Sequence, residues 1–140
     1  MGKETHNELL RLVSDSTRFQ ILLILLNGPP QNPADLAKKL SLTRPGIEKH
    51  LKMLRTFWLI EREVESWPSP RFVYGLTQVG REFLNRLTDL FDSYTHETCG
   101  SIVSEIETIE KKFILGKIKR LQYEEELKEL KKAQKIFENK

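Results

Sequence analysis

Residues 32–54 read NPADLAKKLSLTRPGIEKHLKML, and this stretch contains two helix-start signals close together. Asn32-Pro33 and Thr43-Arg44-Pro45 each place a capping side chain shortly before a proline, an arrangement that favours the first turn of a helix. Apolar residues then recur at helical spacing after each signal, as Leu36, Ala37 and Leu40 and as Ile47, Leu51 and Leu54. The stretch therefore predicts two helices joined by a tight turn.

The flanking segments extend this pair into a longer order of elements. Upstream, Leu9–Val13 predicts a short helix, and Phe19–Leu26 is apolar nearly all round, which indicates a central buried helix. Downstream, two β-rich runs surround a proline-bearing tip at 66–70, and an amphipathic helix starts at Thr77 and extends to 96–101, where Gly100 weakens it and its continuation stays open. This order is typical of a winged helix-turn-helix, so the predicted fold class is mainly α with a small β-hairpin wing (α+β).

The last 40 residues carry an apolar seam of coiled-coil type. Its members are Ile102, Ile106, Ile109, Phe113, Ile114, Ile118, Leu121, Leu127, Leu130, Ala133 and Phe137. A single helix of this length extends about 60 Å, too far for one small domain to cover, so the seam is predicted to pair with another copy of the chain. We therefore expect a winged helix-turn-helix DNA-binding domain over residues 1–95 and a C-terminal helical dimerisation segment over 96–140, with a bend or a break at Gly116 both open.

Composition excludes several classes of protein. The chain has 140 residues, a formal net charge of +3 and one cysteine, which rules out an intrachain disulfide framework. No run is apolar enough to span a bilayer and the first 20 residues do not resemble a signal peptide, so we expect a cytoplasmic protein with no membrane partner. The sequence contains no glycine-rich phosphate loop, metal-ligand set or nucleophile–base arrangement, so we expect no enzyme activity, cofactor or metal.

Positive charge is concentrated in residues 32–57. Six basic side chains stand there against Asp35 and Glu48, a local net charge of +4 that exceeds the value for the whole chain. Charge concentrated on one surface attracts phosphate, so this segment is the expected contact with a nucleic acid.

Two runs add a family resemblance. They are Ser14-Asp15-Ser16-Thr17-Arg18 and Lys49-His50-Leu51-Lys52-Met53-Leu54. Both resemble signatures of the ArsR-like family of bacterial and archaeal transcriptional regulators, and the resemblance covers about residues 9–90. It implies a homodimer that binds double-stranded DNA and reads the major groove with its fourth helix.

The outward face of that fourth helix is the expected reading surface. Because its apolar stripe faces the core, Arg44, Lys49 and His50 are left on or near the exposed side. Arg44 suits a bidentate contact with a guanine, and His50 suits contact with a base or a phosphate from the same side. The other cations suit the DNA backbone. Arg71 suits the minor groove or a phosphate. The predicted DNA-binding residues are Lys38, Lys39, Thr43, Arg44, Gly46, Lys49, His50, Lys52, Arg55 and Arg71.

Two positions depart from the family pattern. Trp58 stands where the family usually has glycine, at a position that suits a left-handed backbone, so the turn there must be built differently or be strained. Glu48 places a carboxylate on the DNA-facing helix, where it repels phosphate unless it accepts from a cytosine amino group or pairs with a cation such as Lys52.

The sequence leaves the effector and the mode of regulation open. The predicted third helix lacks the paired cysteines with which many relatives sense metal; His96 and Cys99 share a helical face and offer soft ligands across a dimer, but a lone cysteine is more often a packing residue. The preferred function is a repressor that blocks a promoter. The alternative is a winged-helix module for protein–protein assembly through the C-terminal helix.

Overall fold

A computed structural model describes residues 2–138 and confirms the winged helix-turn-helix. The helices are α1 (Lys3–Ser14), α2 (Ser16–Asn27), α3 (Pro33–Leu40), α4 (Arg44–Thr56), α5 (Gln78–Ile114) and α6 (Arg120–Glu138), and the strands are β1 (Ile60–Ser66) and β2 (Arg71–Leu76). The chain divides into two compact units, the first ending at Arg86 and the second beginning at Leu87. Within residues 2–138 no helix is both long enough and apolar enough to cross a membrane.

The helix starts form as the capping residues predict. The Asp15 carboxylate caps α2 by accepting from the Arg18 N–H at 3.0 Å, and the Asn32 side chain caps α3 by accepting from the Asp35 N–H at 2.8 Å. The Thr43 hydroxyl caps α4 by accepting from the Gly46 N–H at 3.3 Å. Each cap gives a partner to an amide that the helix itself leaves free.

The core of the first unit surrounds α2. Leucine and isoleucine side chains from α2, α3, α4 and α5 are almost completely buried: Ile21, Leu22, Leu25, Leu36, Ile47, Leu51, Leu54 and Leu84. Burying one such side chain contributes about 1.5–3 kcal/mol, so this cluster holds the apolar stripe of α4 against the domain and turns the opposite face of that helix outward.

The wing is an antiparallel pair in which Ile60 pairs with Leu76 and Val64 with Phe72. The backbone of Gln31, just before α3, exchanges hydrogen bonds of 2.9 and 2.7 Å with that of Tyr74 on β2. This bridge ties the start of the helix-turn-helix to the wing.

The turn after α4 confirms the expectation for Trp58. Its φ is +63°, in the left-handed region, and its side chain is 72% exposed. Thr77 stabilises the turn, because its hydroxyl donates to the Trp58 carbonyl at 2.7 Å and accepts from the Gly80 N–H at 2.9 Å. A left-handed conformation costs a residue with a side chain roughly 1–2 kcal/mol, so the turn is strained and Thr77 helps to hold it.

The second unit decides two points that the sequence leaves open. The fifth helix continues through Gly100 to Ile114, because a glycine lowers helix stability by about 1 kcal/mol without terminating the helix. The seam does not form one long helix. The chain breaks at Gly116, whose φ is +71°, and α6 returns after it.

The two helical stretches of the second unit share aromatic contacts. Phe113 stacks on Tyr123 with ring centroids 4.5 Å apart, and Tyr94 meets Phe137 edge to face at 6.0 Å. The side chains of Ile102, Ile106 and Ile109 are buried within the single chain. Much of the predicted seam is therefore covered intramolecularly by a helical hairpin.

Candidate nucleic-acid interface

A cationic groove of about 480 Å³ lies between the start of α3, the exposed side of α4 and the wing. Its lining residues are Asn32, Pro33, Ala34, Arg44, Glu48, Lys52, Arg55, Arg62, Pro70, Arg71, Phe72 and Tyr74. Five of these side chains are cationic and one is a carboxylate. Walls of one charge sign around a concave surface concentrate the electrostatic field and attract phosphate.

The α4 residues that line the groove lie about one helical turn apart. Arg44, Glu48 and Lys52 are spaced by four, and Arg55 follows on the same side of the helix. Lys49 is exposed outside the groove lining, next to this face. Thr43 caps the helix and Gly46 lies in its first turn, so both sequence-predicted positions belong to the N-terminal end of α4.

Glu48 pairs with Arg44, which replaces the suggested Lys52 as its partner. The Arg44 Nε lies 3.3 Å from Glu48 Oε1, with the two side chains 64% and 50% exposed. An exposed pair of this kind contributes only a few tenths of a kcal/mol, so phosphate or a base edge can displace the carboxylate. In the free protein the pair orients Arg44 and lowers the positive charge of the groove.

His50 lies on the other flank of α4, so the expectation that it acts from the same side as Arg44 is wrong. Its Nδ1 is 3.3 Å from Nη1 of Arg18. Relative to the buried stripe of α4, position 50 falls on the opposite side from positions 44 and 48, because each residue advances about 100° around a helix. The half-buried imidazole therefore faces α2.

Arg18 links three helices near that imidazole. Its Nε donates to the Leu12 carbonyl at 2.7 Å and its Nη2 to the Arg11 carbonyl at 3.3 Å, both in the last turn of α1. A cation is favourable at a helix C-terminus, where carbonyl groups are unpaired. Arg18 therefore joins the end of α1 to α4 through His50, a role that its place in the sequence signature does not reveal.

Asp15 lies in the same polar group. Its pKa is lowered, first because the Arg18 backbone N–H donates to the carboxylate and further because of the positive charge of the Arg18 side chain. The cap of α2 is therefore strongest with the carboxylate ionised.

The α3 lysines lie outside the groove lining. Lys38 and Lys39 are exposed, and the Lys39 ammonium donates to Gln31 Oε1 at 2.9 Å. Since the Gln31 amide also donates to the Pro29 carbonyl at 3.0 Å, Lys39 is tied to the segment before α3.

Arg62 completes the groove, and sequence reasoning missed it. Its guanidinium carbon lies 4.2 Å from the centre of the Phe72 ring, a cation–π contact that holds the charge on the groove side of the wing. Arg71, exposed at the start of β2, lines the same groove. The alternation of β1 contained the signal, because glutamates at 61, 63 and 65 fall on one face and leave Arg62 on the other.

Comparisons with known proteins agree with this architecture. Residues 15–60 match the family model described as bacterial regulatory protein, arsR family, which confirms the family resemblance. No curated protein matches the chain. Solved structures share the fold at low sequence identity.

Three of these structures illustrate the range. A transcriptional regulator homologue from Pyrococcus horikoshii OT3 is 22% identical with a TM-score of 0.52, covering 66% of this chain and 98% of that one. The S. aureus MepR–DNA complex is 21% identical with a TM-score of 0.55, covering 75% and 91%. The homodimeric winged helix-turn-helix domain of Mb0332 from Mycobacterium bovis is 15% identical with a TM-score of 0.56, covering 65% and 82%.

Proposed function

Residues 15–60 carry the helix-turn-helix of the arsR family of bacterial regulatory proteins, and from this premise we propose that the chain is a sequence-specific, DNA-binding transcriptional regulator that acts as a homodimer. The observation that carries the proposal is the groove in which Arg44, Lys52, Arg55, Arg62 and Arg71 converge. Repression by occupying a promoter is the expected mode of action. The expected location is the cytoplasm.

Each part of the groove has a distinct task in this proposal. The N-terminal end of α4 enters the major groove, where Arg44 exchanges its Glu48 partner for a guanine edge and free amides of the first turn face phosphate. Lys49, Lys52 and Arg55 position α4 on the backbone, with Lys38 and Lys39 nearby. Arg62 and Arg71 bring the wing onto a phosphate or into the minor groove.

Exposed apolar side chains on α1 and α5 support self-association, which would let the protein engage two half-sites. On α1, Leu10 is largely exposed, and on α5 so are Leu90 and Tyr94, which lie one helical turn apart. Exposed apolar side chains at helical spacing favour a helix–helix interface with a second copy. Two α4 helices in one dimer then read half-sites about 34 Å apart, one turn of the duplex.

The test is selection of bound genomic fragments, followed by binding of the selected site and of random DNA across a salt series. Arg44→Ala should lower affinity for the selected site while leaving random DNA nearly unchanged, because a base contact carries specificity. Lys52→Ala should weaken both alike. Equal losses in the two variants would refute the assignment of roles, and an absence of salt-dependent DNA binding would favour the assembly module instead.

A further inference from the structure

The turn between α5 and α6 forms an ordered projection, which we call the hairpin tip and define as residues 111–123, KKFILGKIKRLQY. The Lys117 N–H donates to the Lys112 carbonyl at 2.9 Å and the Gly116 N–H to the Phe113 carbonyl at 3.0 Å, so the end of α5 is closed by backbone hydrogen bonds. The Phe113–Tyr123 stack fastens its base. The backbone of this turn is therefore held in a defined conformation.

Three large aliphatic side chains of the hairpin tip face water. Ile114 is 80% exposed, Leu115 is 67% exposed and Leu121 is 70% exposed. Aliphatic groups gathered at a turn gain nothing from exposure, and such clusters on soluble proteins mark interaction surfaces. The fold does not require them, because the buried residues of this unit lie elsewhere, at Ile102, Ile106 and Ile109.

The same segment is strongly cationic. It contains Lys111, Lys112, Lys117, Lys119 and Arg120 and no acidic residue, with Glu110 before it and Glu124, Glu125 and Glu126 after it. Arg120 Nε lies 3.5 Å from Glu124 Oε1, but both side chains are largely exposed and water screens the pair. The hairpin tip therefore presents aliphatic groups within a cluster of positive charge.

We propose that the hairpin tip is a docking surface for an anionic lipid bilayer. Lipid headgroups attract the lysines, while Ile114, Leu115 and Leu121 enter the apolar layer just beneath, so one partner uses both features. A DNA backbone would use the cations but leave the aliphatic groups in water. A second hairpin tip would bury the aliphatic groups but oppose two clusters of five cations.

This proposal revises the sequence expectation of no membrane partner. That expectation rests on the lack of a spanning segment, and a peripheral contact needs none. It is also independent of the DNA-binding groove, whose residues all lie before Arg86.

The experiment is co-sedimentation of the full chain with phosphatidylcholine vesicles, with and without about a quarter of phosphatidylglycerol. We expect binding to the anionic vesicles alone and its loss in high salt. Lys117→Gln with Lys119→Gln should weaken binding by about fivefold per charge. Ile114→Ser should weaken it by about tenfold, and because this side chain is exposed, circular dichroism should show an unchanged fold.

Matched controls keep the outcome decisive. Ile136→Ser changes a side chain of the same type, 68% exposed on α6 outside the hairpin tip, and Lys38→Gln with Lys49→Gln removes two charges near the groove; neither should alter vesicle binding. The proposal is overturned if anionic vesicles are not bound, or if the Lys38 and Lys49 substitutions rather than the tip variants abolish binding. If the unmodified chain does not bind vesicles, the tip variants show which partner uses the surface. A changed sedimentation coefficient would assign it to a second copy, and weakened binding of random DNA would assign it to DNA.

Discussion

Replacing Arg62 by glutamine, a residue of similar size, removes the positive charge that β1 contributes to the groove. The perturbation to folding is small, because an exposed cation–π contact such as that of Arg62 with Phe72 is worth about 0.5–1 kcal/mol. Its effect on DNA binding follows from counterion release. Each neutralised phosphate contributes about 0.9 to the slope of log affinity against log salt.

The magnitude can be worked out for one protomer. If the five groove cations each neutralise one phosphate, the slope is about −4.5, and Arg62→Gln brings it to about −3.6. The same relation gives an affinity loss of about eightfold at 0.1 M salt and about threefold at 0.3 M. A dimer that engages both half-sites doubles the change in slope.

The assay is fluorescence anisotropy of a labelled duplex titrated with wild type and variant at several salt concentrations. Arg62→Lys should retain the slope, and Arg86→Gln, which removes an exposed arginine outside the groove lining, should change nothing. An affinity loss that is independent of salt would show that Arg62 contacts no phosphate. An unchanged affinity would remove the wing strand from the interface.

Three further predictions test other parts of the structure. Glu48→Gln should raise affinity for specific and random DNA alike by severalfold in the same anisotropy assay, because it frees Arg44 and removes a repulsive charge; a loss of affinity would mean that Glu48 itself accepts from a base. Trp58→Gly should stabilise the fold by about 0.5 kcal/mol, since relief of a left-handed conformation of roughly 1–2 kcal/mol outweighs the added unfolded-state entropy of glycine and little buried surface is lost; a lower urea midpoint would contradict this. The lowered pKa of Asp15 should stabilise the fold above the ordinary carboxyl pKa of about 3.9, with the stabilisation lost as pH falls through the lower folded value. In urea unfolding, Asp15→Asn should therefore differ from wild type at pH 7 and converge with it at low pH, and parallel curves would exclude a role for the ionised cap.

Local signals account for most of the correctly predicted fold. Caps such as Asn32 and Thr43, each followed closely by a proline, set helix starts through contacts within four residues, so the sequence is sufficient to locate them. Gly100 shows the limit of such reasoning. Its helix-weakening tendency of about 1 kcal/mol is smaller than what the surrounding helix gains from packing, so α5 continues through it.

The candidate site was predicted in part. Arg44, Lys52, Arg55 and Arg71 were all predicted to contact DNA, and the structure brings them together along one groove. The six-residue spacing of Arg44 and His50 already places His50 on the other flank of α4, but its partner there, Arg18, is 32 residues away in the chain. No local pattern records such a contact.

The amino-acid sequence by itself determined where the helices of the first unit start, which stripe of α4 is buried and where positive charge is concentrated, because each depends on neighbours within a few residues. Tertiary structure alone decided that Arg62 joins the groove, that Glu48 pairs with Arg44, and that the C-terminal seam closes on itself at Gly116. In each case several partners compete, and their local interaction energies are similar. Only the packing of distant segments makes one of them lowest in free energy.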